Sequence, residues 1–164
     1  MIPRVGYAPD ATRHYTLRPG AYAILPLSGR ILLTMQVADM LDIQLPGGGI
    51  DPGESPLQAL HREVLEETGW RIARPQRLGA FRRFVFMPEY DLWAEKLCHI
   101  YVARPVYQMT QPAEPDHETL VLPVREAVDA LGNDGDRMFV RRYCLYWSGE
   151  NSNKTPLTSS GNSL

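Results

Sequence analysis

The run from Ser55 to Gly69 constrains the chain most, because it marks a helix at both ends. Ser55 is a natural N-cap, Pro56 suits the first helical position, and Gln58 completes an S-x-x-Q capping box. Gly69 supplies the stop. Between them Leu57, Leu60 and Val64 recur at i, i+3 and i+7 and predict an apolar stripe against a core. Glu63, Glu66 and Glu67 are expected on the side opposite that stripe. Like charges at this spacing cost roughly a few tenths of a kcal/mol per pair. Either Arg62 and water screen an ordinary solvated face, or a cation binds there.

The rest of the chain supplies the setting. With 164 residues, 44% of them hydrophobic and 22% charged, it suits one domain with an adequate core, over residues 1–148. Residues 149–164 read as a polar, flexible tail. A net charge of −2 gives no general attraction to nucleic acid or to an anionic membrane. No apolar run is long enough to span a bilayer, and the N-terminus lacks the apolar core of a signal peptide. A soluble, cytoplasmic protein is therefore expected. Cys98 and Cys144 form no metal-binding pair and are expected as buried free thiols.

Short apolar segments alternate with turns. Ala21 to Leu27 and Ile31 to Val37 predict a hairpin through Ser28-Gly29-Arg30. Leu41 to Leu45 is a short third segment. Arg77 to Met87 and Lys96 to Val106 predict two longer strands joined by a loop from Pro88 to Ala94, and Leu120 to Leu122 another short strand. Helices are expected over Val124 to Leu131 and Asp136 to Trp147, the second burying Met138, Val140, Tyr143 and Trp147. The mixture is α/β or α+β.

The loop entering the first helix, Leu45-Pro46-Gly47-Gly48-Gly49-Ile50-Asp51-Pro52-Gly53-Glu54, carries four glycines and two prolines. Glycine lets a backbone approach a ligand closely. The run GGIDPGESPLQALHREVLEETGW, Gly48 to Trp70, resembles the Nudix hydrolase signature at every fixed position. Trp70 alone departs, standing where the family usually carries a bulky aliphatic residue.

The resemblance implies an α/β/α sandwich with a mixed central sheet, and hydrolysis of a pyrophosphate bond in a nucleoside diphosphate linked to another moiety. It further implies Glu63, Glu66 and Glu67 as metal ligands, with Mg²⁺ or Mn²⁺ as the cation, and Glu66 or Glu67 in contact with the attacking water. Arg62 is expected to orient a glutamate, Glu54 to support the loop, and Gly48 and Gly49 to form the substrate loop. The residue types suit the chemistry, since Mg²⁺ prefers carboxylate and water oxygens and neutralises phosphate charge.

Other candidates keep two readings. The general base comes from the signature helix or from a later loop, where Glu118 is preferred to Glu114; a plain surface acid is the alternative. His99 and His117 are read as ordinary surface or partly buried histidines, and His61 as structural. Of Arg82 and Arg83, one is expected to face a phosphate, because neighbouring strand residues point to opposite sides; an edge-strand salt bridge is the alternative. Phe84, Phe86, Tyr90 and Trp93 are candidates for stacking on a base, or for core, and Arg18 for approach to the nucleotide. The partner is expected to be a nucleotide-type small molecule, with no nucleic acid and no membrane, and a homodimer is compatible with the fold. A non-catalytic nucleotide sensor is the main functional alternative.

Overall fold

A computed structural model of the chain describes residues 1–37, 41–113 and 117–152. Among these residues are seven strands: β1 (Thr16–Leu27), β2 (Arg30–Val37), β3 (Leu41–Gln44), β4 (Gly47–Gly49), β5 (Trp70–Met87), β6 (Leu92–Gln108) and β7 (His117–Pro123). Three α-helices accompany them: α1 (Pro56–Thr68), α2 (Val124–Ala130) and α3 (Asp134–Ser152). The sheet is mixed. Strand β1 runs parallel to β6 and antiparallel to β2 and β4, β5 closes one side against β6, and β3 and β7 both pair with β2.

Alternation along β1 sorts the core into two layers. Ala21, Ala23 and Leu25 join Ala59, Leu60 and Val64 of α1 on one face. Tyr22 and Ile24 join Ala127, Val128 and Leu131 from α2 and its C-terminal end, and Phe139 and Val140 from α3, on the other. The expected sandwich is therefore present, with α1 alone on its side. Among the described residues no helix is long and apolar enough to cross a membrane.

The local signals behave as their chemistry requires. Ser28 and Gly29 both take positive φ, 50° and 76°, which makes the β1–β2 connection the twisted two-residue turn that hairpins prefer. Ser55 accepts the Gln58 N–H while the Gln58 side chain accepts the Ser55 N–H. Gly69 ends α1 at a φ of 73° and donates to Leu65 O.

Several boundaries differ from expectation. Strand β5 begins at Trp70, well before Arg77, because β-bulges carry its pairing with β6 past Pro75, which has no N–H to give. The β5–β6 connection is shorter than expected, a 3₁₀ turn over Pro88–Tyr90 followed by Asp91 at positive φ. Helix α3 buries Phe139 and Val140, whereas Met138 is exposed, and the Trp147 side chain lies outside what is described. The same helix reaches Ser152, into the stretch read as tail, and residues 153–164 lie outside the described set. Both cysteines are free, Cys98 buried and Cys144 partly so. Burial pushes the Cys98 thiol up to about 11.

The larger surprise concerns α1. Leu57 is 44% exposed, while Glu67 is only 4% exposed. Glu67 follows Leu60 by seven residues, which at about 100° per residue brings it within roughly 20° of Leu60. It therefore sits beside the apolar stripe, not opposite it.

Because the capping box holds the helix that carries the acidic residues, Ser55→Ala is expected to lower unfolding free energy by about 1 kcal/mol. Urea denaturation measures this, and an unchanged midpoint would refute the role given to the cap.

Candidate active site

The loop and α1 are joined by a buried carboxylate. Glu67 Oε2 accepts the Gly47 N–H at 2.9 Å, and Glu67 Oε1 lies 3.4 Å from His117 Nε2 at the start of β7. Gly47 has a φ of 140°, and a Cβ there would run into the Ala21 carbonyl, so only glycine fits. A Cβ on Gly48 would run into the carboxylate of Glu63, which places that side chain directly against the loop.

Arg62 organises the remaining acids. Its Nε and Nη2 grip Glu54 at 2.9 and 2.8 Å, a two-point contact that fits the planar guanidinium. Its Nη1 donates to Glu63 at 2.7 Å and to Glu66 at 3.2 Å, and Nη2 also reaches the Gly49 carbonyl at 3.0 Å. The Arg62 guanidinium, helped by the Asp51 N–H, holds the Glu54 carboxyl down to about 2, against an ordinary value of 4.5. Hydrogen bonding by these acids pushes the Arg62 pKa further up. One guanidinium thus faces Glu54, Glu63 and Glu66 while Glu67 stands close behind, leaving an excess of negative charge.

The C-terminal end of α1 is tied to the segment that follows β6. Gly69 O accepts from Met109 N–H at 2.8 Å and Glu66 O from Ala113 N–H at 2.7 Å, which satisfies carbonyls that a helix end leaves free. A Cβ on Gly69 would collide with the Thr110 carbonyl.

Beside this loop lies a second feature, a cavity of about 280 Å³ lined by Gln36, Asp42, Gln44, Arg83, Glu89 and Lys96, among others. Gln44 leads directly into the glycine loop, and the next residue, Leu45, donates its N–H to buried Asp136 of α3 at 3.1 Å. A roomier hollow of about 570 Å³ between α2 and α3 is lined by none of the glutamates on α1.

The expected site residues therefore divide. Gly48, Gly49, Arg62, Glu63, Glu66 and Glu67 come together. Arg83 lines the adjacent cavity. Arg82 faces the other side of β5 and pairs with Glu95 at 3.1 Å, which is the salt-bridge reading. Glu118 is exposed, and because His117 faces Glu67, its successor on the strand faces away from it. Glu114 lies outside the described residues. His117, expected as an ordinary surface or partly buried histidine, is partly buried and in contact with Glu67. Phe84 packs edge-on against Tyr15 at 4.9 Å, and Phe86 against Trp93 at 5.3 Å, so these aromatics occupy one another. Lys96 has no signal in the sequence, because only the pairing of β5 with β6 sets it opposite Arg83.

Among the described residues no three metal-binding side chains already converge on one point. Glu63 and Glu66 are turned to Arg62. The donor set is nevertheless all oxygen and carries more negative charge than Arg62 offsets, which suits a hard divalent cation of the Mg²⁺ or Mn²⁺ kind.

A sequence model of the NUDIX domain matches residues 16–143, and the chain belongs to that family. It is 38% identical over 74 residues to a putative 8-oxo-dGTP diphosphatase of Bacillus subtilis (strain 168), a match covering 45% of this chain and 50% of that protein. It is 26% identical over 114 residues to an ADP-ribose pyrophosphatase of the same organism, covering 66% and 58%. The chain thus spans about half the length of the curated relatives it matches. Among solved structures, a NUDIX hydrolase from Nitrosomonas europaea superposes with a TM-score of 0.64 at 17% identity, covering 90% of this chain and 98% of that one, and shares the fold.

Two outcomes follow from this geometry. Glu67→Gln puts an amide where a carboxylate accepts a buried N–H, and is expected to destabilise by about 1–3 kcal/mol. Glu66→Gln, on the open side of the helix, is expected to stay within about 0.5 kcal/mol. Thermal unfolding of the pair tests this, and equal effects would contradict the burial of Glu67. Glu54 contributes stability that is fully present above pH 4.5 and is lost as the pH falls through about 2, the value at which its folded form titrates. The difference in Tm between the wild type and Glu54→Gln is expected to close over that window, and a pH-independent difference would refute the assignment.

Proposed function

We propose that this chain is a divalent-cation-dependent pyrophosphohydrolase that cleaves a nucleoside diphosphate derivative with water. The observation that carries the reading is the carboxylate array of α1, held by Arg62 directly against the Gly47–Gly49 loop. The names of the two relatives agree with it, since one is called a putative 8-oxo-dGTP diphosphatase and the other an ADP-ribose pyrophosphatase.

In this reading Glu63, Glu66 and Glu67 hold the cation. When bound, a divalent cation supplies neutralisation of the phosphate oxygens and lowers the pKa of nearby water. The chain's own groups do the rest. Gly48 and Gly49 keep the loop free of side chains where the diphosphate lies against it. Arg62 keeps Glu63 and Glu66 from turning away. Glu66, the most exposed of the three, takes the proton as water attacks phosphorus, and the bridging P–O bond breaks with the electron pair leaving on the departing phosphate. Glu118, directed away from Glu67, takes no part.

The experiment is product analysis on nucleoside triphosphates, oxidised deoxynucleotides, ADP-ribose, nucleotide-sugars and dinucleoside polyphosphates, with Mg²⁺ or Mn²⁺ and with chelator. Cleavage that chelator abolishes, and that Glu66→Gln slows by about 100-fold or more in kcat, is the expected result. Binding without cleavage would instead favour a nucleotide sensor and remove the catalytic roles.

A further inference from the structure

We propose that Arg18, Lys96 and Arg83 form an anion-binding row that holds a third phosphate, making nucleoside triphosphates rather than nucleotide-sugars the substrate class. The inference rests on the hydrolytic reading above and adds to it the part of the substrate beyond the diphosphate.

The row follows from register. Arg18 of β1 is paired with Lys96 of β6, and Lys96 is paired with Arg83 of β5. Partners in a sheet project to the same face. That face is fixed two residues further along, where Gly20 pairs with Cys98 and Cys98 with Phe81, because Cys98 and Phe81 lie in the core covered by α2 and α3. Three cations therefore stand side by side on neighbouring strands, spanning roughly 10 Å at about 4.8 Å per strand.

Like charges directly opposite each other destabilise a sheet. Carboxylates stand nearby: Asp136 accepts the Leu45 N–H and its charge acts on both Arg83 and Lys96, Asp42 and Glu89 line the same cavity, and Glu95 is on the other face with Arg82. Among the described residues neither Arg83 nor Lys96 is in an ion pair, and the buried Nε of Arg83 has no hydrogen-bond partner. Arg18 is held by the ring of Tyr90, with its Cζ 4.6 Å from the centroid. Burial, and then the charge of Arg83, hold the Lys96 ammonium below its ordinary pKa.

Position decides what the row meets. Arg83 and Lys96 line the 280 Å³ cavity that opens beside Gln44. Gly20, paired with Gly49 of the loop, is two residues from Arg18, or about 7 Å of strand. A chain of phosphates lying on the loop thus has the row next to it. Guanidinium and ammonium groups only donate, so an acceptor must satisfy them. A partly buried cation gains far more from an anionic oxygen than from a sugar hydroxyl, which brings no charge.

Calorimetry with inorganic tripolyphosphate and pyrophosphate, in chelator, tests the row without turnover. Tripolyphosphate is expected to bind about tenfold more tightly than pyrophosphate, and the ratio to fall to about one in Arg83→Gln and in Lys96→Gln. Arg18→Gln, at the open end of the row, supplies the same test should an inner variant fail to fold. Equal binding of the two anions by the wild type, or a ratio unchanged in the variants, overturns the proposal. In turnover, Lys96→Gln is expected to raise KM for a nucleoside triphosphate by about tenfold at nearly constant kcat, with ADP-ribose unaffected. A wild type that prefers ADP-ribose overturns the substrate class. Retained tripolyphosphate selectivity in a chain that hydrolyses nothing would support the row and count against the hydrolytic reading alone.

Discussion

The hydrogen bond from the Gly47 N–H to Glu67 is the contact on which the site's architecture depends. It joins a backbone amide of the loop to a side chain two residues before Gly69, the glycine that ends the helix, so loop and helix cannot slide independently. Around it the packing tolerates nothing larger, because Gly47 lies against Ala21 and Gly48 against Glu63. A buried carboxylate that accepts an N–H is costly to replace, since the amide left behind would have no comparable acceptor. The positions of Glu63 and Glu66 relative to the loop then follow from helical geometry, and Arg62 completes the arrangement by gripping Glu54 and the Gly49 carbonyl.

Much of this was legible in the residues. Ser55, Pro56, Gln58 and Gly69 act through contacts with near neighbours in the chain, so their pattern specifies both helix ends without reference to the fold. The Ser28-Gly29 turn is equally local. Glu67 was not legible in the same way, because a charged residue on a helix is expected in water unless a partner is known. Its partners, Gly47 and His117, are 20 and 50 positions away. The angular proximity of Glu67 to Leu60 was nevertheless available from the wheel, and charge type outweighed it. The contact of His117 with Glu67 was hidden for a related reason: nothing near it in sequence announces that β7 begins against α1.

Strands β5 and β6 show what pairing adds to alternation. Sequence alone says that Arg82 and Arg83 face opposite sides, but not which side holds the cavity. Pairing settles that by setting Arg83 against Lys96 and Arg82 near Glu95. The same step extends the strand back through Pro75, because bulges absorb the residues that ordinary pairing cannot accommodate. An element predicted from propensity ends where the regular pattern ends, whereas the real strand ends where its partner does.

The two charged features stand on either side of the glycine loop and are opposite in sign. The carboxylates on α1 repel a phosphate chain until a cation intervenes, since Arg62 is already committed to two of them, Glu63 and Glu66, and to Glu54 of the loop. The Arg18–Lys96–Arg83 row attracts the same chain without help. Neither alone favours a polyphosphate lying along Gly47–Gly49, because the first repels it and the second would draw it off the loop. In the proposed reading, and with a cation neutralising the acidic side, they would define one line along which an extended anion lowers its energy at both ends. Glycine at Gly48 and Gly49 keeps that line open at its midpoint, where any side chain would have to displace either Glu63 or the anion itself.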